Sequence, residues 1–332
     1  MKRALVNVLG KHLLALSVAA TLSYSVSSQA AEQWDMALAY PASSYQTQMA
    51  ESFAREVGEK TAGQLAIATH PNGSLFGGGE IFSAVRRGLA PIGERIISAL
   101  GNEDPLFEVD ALPFVASSFD ASWKLYQASK PRLEEVLDKK GLKLLYCIPW
   151  PPQGLYMKKP ISSIDDMKGV RFRTYNPMTN KLAAMMGAAP TQVEVAEVAQ
   201  AFATGVADSM LSSAATGIDT KLWEYVGYWY DVKAWLPKNM VFVNKKVWDK
   251  LPADTQTAVL QAAADTEKAG WDKARQLTAQ YQQELQTNGM QVVAPSPELE
   301  QGFEHIGKEL LDDWLKRSGP EGQAVIDAYQ KM

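Results

Sequence analysis

One cysteine, Cys147, and three histidines, His12, His70 and His305, are all that this 332-residue chain holds in the way of thiol and imidazole chemistry. A single thiol excludes an internal disulfide, so the fold must rest on its core alone. Cys147 lies in the apolar run Leu144-Leu145-Tyr146-Cys147-Ile148 and reads as a buried, inert thiol. No His-Glu-x-x-His, Cys-x-x-Cys, Gly-x-Ser-x-Gly or Ser-x-x-Lys motif occurs, which removes the usual zinc and nucleophile signatures. Carboxylate pairs stay open, because 37 acids supply many pairs that only folding could bring together. The glycine fingerprints of phosphate and dinucleotide sites are missing as well. Gly77-Gly78-Gly79 has no Gly-Lys-Ser/Thr after it and reads as a turn into a helix.

Long apolar runs are also scarce. The N-terminus has Lys2, Arg3 and Lys11, an apolar run 13–22, and small residues ending Ser28-Gln29-Ala30. That order is a secretory signal with cleavage after Ala30 or Ala31, and its apolar run is about half of the ~20 residues a spanning helix needs. The chain beyond it is expected to be exported, soluble and about 300 residues long. With the three basic residues of 1–30 removed, 37 acids face 30 bases, a net charge of −7. No basic stripe offsets that excess, so nucleic acid is not an expected partner.

What the chain does have is a regular alternation. Strand-like runs at 34–40, 64–70, 92–98, 142–149, 170–174, 206–213 and 241–244 are interleaved with helical patterns at 45–61, 79–89, 121–140, 178–186 and 194–203. This predicts an α/β protein with largely parallel sheet. Proline clusters at Pro149-Trp150-Pro151-Pro152 and Trp235-Leu236-Pro237 end elements and stiffen connections, and are read as crossings between two lobes. The expected division is a signal at 1–30, a first lobe of 31–148 plus about 238–275, and a second of 149–237 plus about 276–332. From Asp254 to about Thr287 there is no proline and only Gly270. One helix there would be about 50 Å long and could brace both lobes, and two helices broken near Gly270 are the alternative. The C-terminal stretch predicts two short helices split at Ser318-Gly319-Pro320.

The segment Asp166-Met167-Lys168-Gly169-Val170-Arg171-Phe172-Arg173-Thr174-Tyr175-Asn176 is the most informative. Strand alternation places Arg171 and Arg173 on one face, and Asn176-Pro177 ends the strand at a helix start. A guanidinium at a strand tip beside a cleft suits a carboxylate, because its planar fork matches two oxygens with charge-assisted bonds. Alternation alone does not choose between the two arginines.

This segment, followed by Gly187-Ala188-Ala189-Pro190-Thr191, Glu197-Val198 and Ala203-Thr204-Gly205-Val206-Ala207-Asp208, resembles the solute-binding proteins of TRAP (tripartite ATP-independent periplasmic) transporters. Ala111-Leu112-Pro113-Phe114 and Leu251-Pro252 extend the resemblance over essentially the whole mature chain. It implies a two-lobed α/β receptor with hinge strands and one long helix spanning both lobes. The receptor would be periplasmic and monomeric. It would capture a small organic acid anion in the interlobe cleft and deliver it to small and large membrane subunits. No cofactor is implied. A periplasmic enzyme acting on a similar acid is the alternative from another class.

The family pattern makes Arg173 the carboxylate clamp and leaves Arg171 solvated or paired with an acid. Asn176 matches a family site position and equally suits a helix cap. Some sialic-acid-type members carry a second arginine where this chain has Gln153, so a monocarboxylate with hydroxyl, keto or sugar character is expected rather than a dianion. An aromatic carboxylate is the other ligand class. Ser212 stands where the family asparagine would bond substrate, and Tyr40 and Trp150 complete the expected wall. The aromatic cluster Trp223, Tyr225, Tyr228, Trp229, Tyr230 and Trp235 suits a packed helix face or a stacking surface. Glu94 and Arg95 are charges in an otherwise strand-like run and are candidates to face the cleft.

Overall fold

Residues 32–332 are described by a computed structural model, and the expected signal at 1–30 lies outside them. The chain begins with β1 (Glu32–Ala37), α1 (Tyr45–Lys60), β2 (Leu65–His70), α2 (Ile81–Arg86) and β3 (Ile92–Ile96). It continues through α3 (Phe119–Lys139) and β4 (Leu142–Pro149). A second run follows, with β5 (Gln153–Met157), β6 (Arg171–Thr174), α4 (Pro177–Met185), β7 (Ala189–Gln192), α5 (Val198–Ala203), β8 (Ser209–Ser213), α6 (Ala214–Asp219) and β9 (Tyr228–Tyr230). The chain closes with β10 (Lys238–Asn244), α7 (Lys245–Trp248), α8 (Ala253–Thr287), β11 (Gln291–Val293) and α9 (Pro297–Gln330).

The strands form two sheets, in the orders β2-β1-β3-β10-β4 and β11-β9-β5-β8-β6-β7. In the first, β1 runs parallel to β2 and β3, while β10 enters antiparallel between β3 and β4. In the second, β6 is parallel to both β7 and β8, and β5 is antiparallel to β8 and β9. Each sheet with its helices is one lobe, so the two-lobed α/β architecture stands. The chain passes between lobes at both proline clusters, and the two passages hold each other. Trp150 N–H donates to the Pro237 carbonyl (2.7 Å), Gln153 N–H to Trp235 (2.9 Å) and Ala234 N–H to Gln153 (3.0 Å).

α8 is one unbroken helix of 35 residues, about 50 Å at 1.5 Å per residue. It packs on α1 and β4 of the first lobe and on α6 and β11 of the second. Gly270 does not break it, because this is where the helix lies against β4: a Cβ there would come 2.5 Å from Ile148 Cδ1. α9 is kinked at Gly319 (φ 59°, ψ −145°), a backbone that glycine adopts without a Cβ penalty. It lies against α3 and residues 105–111 of the first lobe, and against α4 and residues 164–167 of the second.

β5, β7, β9 and β11 are not among the strands expected from the sequence. β7 and β9 have three or four residues, too few for a period to show, and β7 is exposed throughout. The helix face expected at 225, 228 and 229 is replaced by β9. Trp229 fills the core over Gly154, where a Cβ would stand 2.4 Å from its ring. Cys147 is fully buried, and burial pushes its thiol well above the ordinary range. Among the described residues no helix is long and apolar enough to cross a membrane.

Candidate functional site

The carboxyl ends of β1, β3, β6 and β8 converge between the sheets, the place where open α/β sheets bind ligands. Together they line one cleft. Tyr40 follows β1, Arg95 and Ile96 end β3, and Arg173 and Tyr175 lie at the end of β6. Ser212 and Ser213 close β8, Thr216 sits in α6, and Glu194 and Val195 follow β7. The two crossings contribute Trp150, Gln153 and Pro237.

Arg173 is 4% exposed, and among the described residues its guanidinium makes one hydrogen bond, from Nε to the Val193 carbonyl (2.9 Å). That bond fixes the plane of the fork and leaves Nη1 and Nη2 for another acceptor. The guanidinium lies 5.1 Å from the centre of the Tyr175 ring. Burial draws its pKa below the ordinary value, although arginine stays charged in proteins. Arg171 shares the strand face but sits at the other end of β6. Its side chain is 54% exposed and paired with Asp208 at 2.6 Å.

Tyr40 and Trp150 form one wall, with ring centres 4.8 Å apart. Both are held from behind by Asn239, whose Oδ1 accepts from Trp150 Nε1 (2.8 Å) and Tyr40 OH (3.3 Å). Asn239 Nδ2 donates to Glu94 (3.0 Å), so Glu94 supports the wall rather than lining it. Burial pushes the Glu94 carboxyl up to about 7. Gln153 lines the cleft, and its amide is engaged by the Pro151 carbonyl (3.0 Å) and Tyr175 OH (3.3 Å). Trp235 Nε1 donates to the same Tyr175 hydroxyl (3.2 Å), so this member of the aromatic cluster fixes a cleft residue from the core. Ser212 Oγ donates to Thr216 Oγ1 at 2.9 Å, which leaves the threonine hydroxyl hydrogen free to donate onward.

The cleft thus brings together Arg173, Gln153, Ser212, Tyr40 and Trp150, and Asn176 is not among its lining residues. Asn176 is the N-cap of α4: its Oδ1 accepts from Thr179 N–H (2.6 Å), and its Nδ2 donates across the lobes to Ser98 (2.8 Å). The cap and that bond use both ends of the amide.

Arg95, a candidate from the sequence, does line the cleft, as do Tyr175, Glu194 and Thr216, which were not among the site residues expected. Tyr175 was reachable by alternation, two residues beyond Arg173. Arg95 showed as a charge in an apolar run. Glu194 had no signal, since its partner is 99 residues away: Arg95 Nη1 and Nη2 bond its two carboxylate oxygens at 2.7 and 2.9 Å. Burial alone would raise the Glu194 carboxyl, but the bonds from Arg95 and the charges of Arg95 and Arg173 hold it below the ordinary range.

The profile of the bacterial extracellular solute-binding proteins, family 7 (DctP), matches residues 36–317. Two Bordetella pertussis extracytoplasmic solute receptors binding pyroglutamic acid, DctP6 and DctP7, are each 47% identical. Each covers 90% of this chain and 100% of its own, with TM-scores of 0.89 and 0.90. A marine metagenome TRAP solute binding protein specific for pyroglutamate is 44% identical, covering 91% of this chain and 99% of its own at a TM-score of 0.90. The match runs from within β1 into α9 and takes in both lobes, both crossings and every residue that lines the cleft, so this chain belongs to the bacterial extracellular solute-binding proteins of family 7.

Proposed function

We propose that this chain is the periplasmic receptor of a TRAP transporter and that its ligand is pyroglutamate, or a monocarboxylate of similar size bearing an amide, keto or hydroxyl group. The observation that carries the reading is the Arg173 fork, buried between two lobes with its terminal nitrogens unpaired by any described residue. A buried guanidinium in that state is matched by a carboxylate accepting two parallel bonds. The pyroglutamate bound by three relatives at 44–47% identity supports the choice of acid.

In this reading Arg173 holds the carboxylate, the Tyr40–Trp150 wall covers the ring, and the Ser212–Thr216 hydroxyl pair serves the lactam, since hydroxyls both donate and accept. The amide of Gln153 keeps Tyr175 in place beside the clamp. Asn176 acts from outside the cleft, by capping α4 and tying it to Ser98. The lobes, 31–148 plus about 238–275 and 149–237 plus about 276–332, close on the ligand by bending at the paired crossings. Residues 1–30 direct export, and the mature chain works as a monomer that passes its ligand, unaltered, to small and large membrane subunits.

Pure protein titrated with L-pyroglutamate should bind one equivalent, and the acid should be recovered unchanged. At 100 times the dissociation constant a ligand of the folded state adds about 2.7 kcal/mol, which a melting curve registers readily. Chemical conversion of the acid would turn the reading to an enzyme. A melting point unmoved by pyroglutamate and by a panel of other carboxylates would overturn the clamp.

A further inference from the structure

The cleft contains a second guanidinium besides the proposed clamp. Of its lining residues, Arg95, Arg173 and Glu194 carry charge. Arg95 belongs to the first sheet and Glu194 to the loop after β7 of the second, so their two bonds of 2.7 and 2.9 Å join the lobes. The Arg95 side chain is 6% exposed and that of Glu194 30%. Gly78 leaves the space they need, because a Cβ there would lie 2.5 Å from Glu194 Oε2 and 2.7 Å from Arg95 Nη1.

We propose that Glu194 sets the charge selectivity of the cleft: its carboxylate occupies the fork of Arg95 as a second ligand carboxylate would, leaving Arg173 as the one unpaired cation among the described residues that line it. A monocarboxylate is then matched by one positive group. A dicarboxylate would have to displace a bidentate, charge-assisted pair or leave its second charge facing Glu194, and like charges in such a setting are strongly disfavoured. Because the pair spans the lobes, this discrimination acts in the closed arrangement of the cleft. The inference rests on the reading of the cleft as a carboxylate site and extends it from which group binds the acid to which group limits the ligand's charge.

The test compares L-pyroglutamate with glutarate, a dicarboxylate of the same carbon number, by calorimetry on the full mature protein. The wild type should prefer pyroglutamate. In Glu194→Gln the ratio of the two dissociation constants should move towards glutarate by at least about tenfold, the least that a hydrogen bond to a charged group is worth. Adding Arg95→Gln to that variant should abolish the gain. Glu194→Ala carries the same comparison should the amide variant fail to fold. A ratio unchanged within about threefold in a folded Glu194 variant, or a wild-type preference for glutarate, would overturn the filter. Absence of pyroglutamate binding in the wild type would count against the ligand reading alone. The filter is then read on the monocarboxylate that raises the wild-type melting point, against the dicarboxylate of equal carbon number.

Discussion

Two arginines two residues apart on one strand face have opposite environments. Arg171, at the amino end of β6, lies in solvent with Asp208 as partner, and Arg173, at the carboxyl end, is enclosed with its fork unpaired by described residues. Strand period equates them, and only the position of the strand end relative to the cleft separates them. Arg173→Ala should weaken pyroglutamate binding by between about tenfold and about 150-fold, the span of hydrogen bonds to a charged group. Arg173→Lys should recover only part of that loss, because an ammonium keeps the charge without the fork. Calorimetry showing unchanged affinity in the alanine variant would remove Arg173 from the site. Asn176 teaches the complementary lesson. An asparagine before a proline and a helix is a cap by local chemistry, and here that chemistry uses it fully.

Among the elements, α8 shows how packing overrides propensity. Glycine in a helix interior costs about 1 kcal/mol relative to alanine, so Gly270→Ala in an exposed helix would be stabilising. Here the added Cβ would meet Ile148 at Cδ1, Cγ1 and Cγ2, with all three contacts at 3.0 Å or below. Overpacking of that kind costs about 1–3 kcal/mol, which outweighs the propensity gain. Urea unfolding of Gly270→Ala should therefore show net destabilisation of up to about 2 kcal/mol, and a more stable variant would mean the helix can lift off β4. The long α8, α1 and α3 were visible in the sequence because many turns repeat one period. β7 and β9 were not, since a short strand held by its neighbours need carry no pattern of its own.

At the scale of the whole fold, burial raises three carboxyls among the described residues: Glu94 to about 7, Asp110 to about 6 and Asp219 to about 7. In the folded chain these groups keep protons that the unfolded chain releases near pH 4 to 5. Their contribution to stability is therefore present in acid and lost as pH rises through about 6 to 7. Glu94→Gln keeps an acceptor for Asn239 and removes the charge. Its stability relative to wild type should rise from near zero at about pH 4 to on the order of 2–3 kcal/mol above about pH 7. Denaturant titrations at the two pH values check this, and a difference that does not grow with pH would show that Glu94 is not the group titrating.

Sequence alone determined what depends on local pattern and residue chemistry. This covers the α/β class, the two crossings at proline clusters, the arginine-bearing strand, and the exclusion of an internal disulfide. Tertiary structure decided which charged groups meet. Arg95 and Glu194 stand 99 positions apart, and Asn239 braces Trp150 and Tyr40 from 89 and 199 positions away. A pairing between two lobes leaves no trace in either segment, because each residue is compatible locally with many partners, and the choice is made only when both sheets turn their carboxyl ends to one cleft.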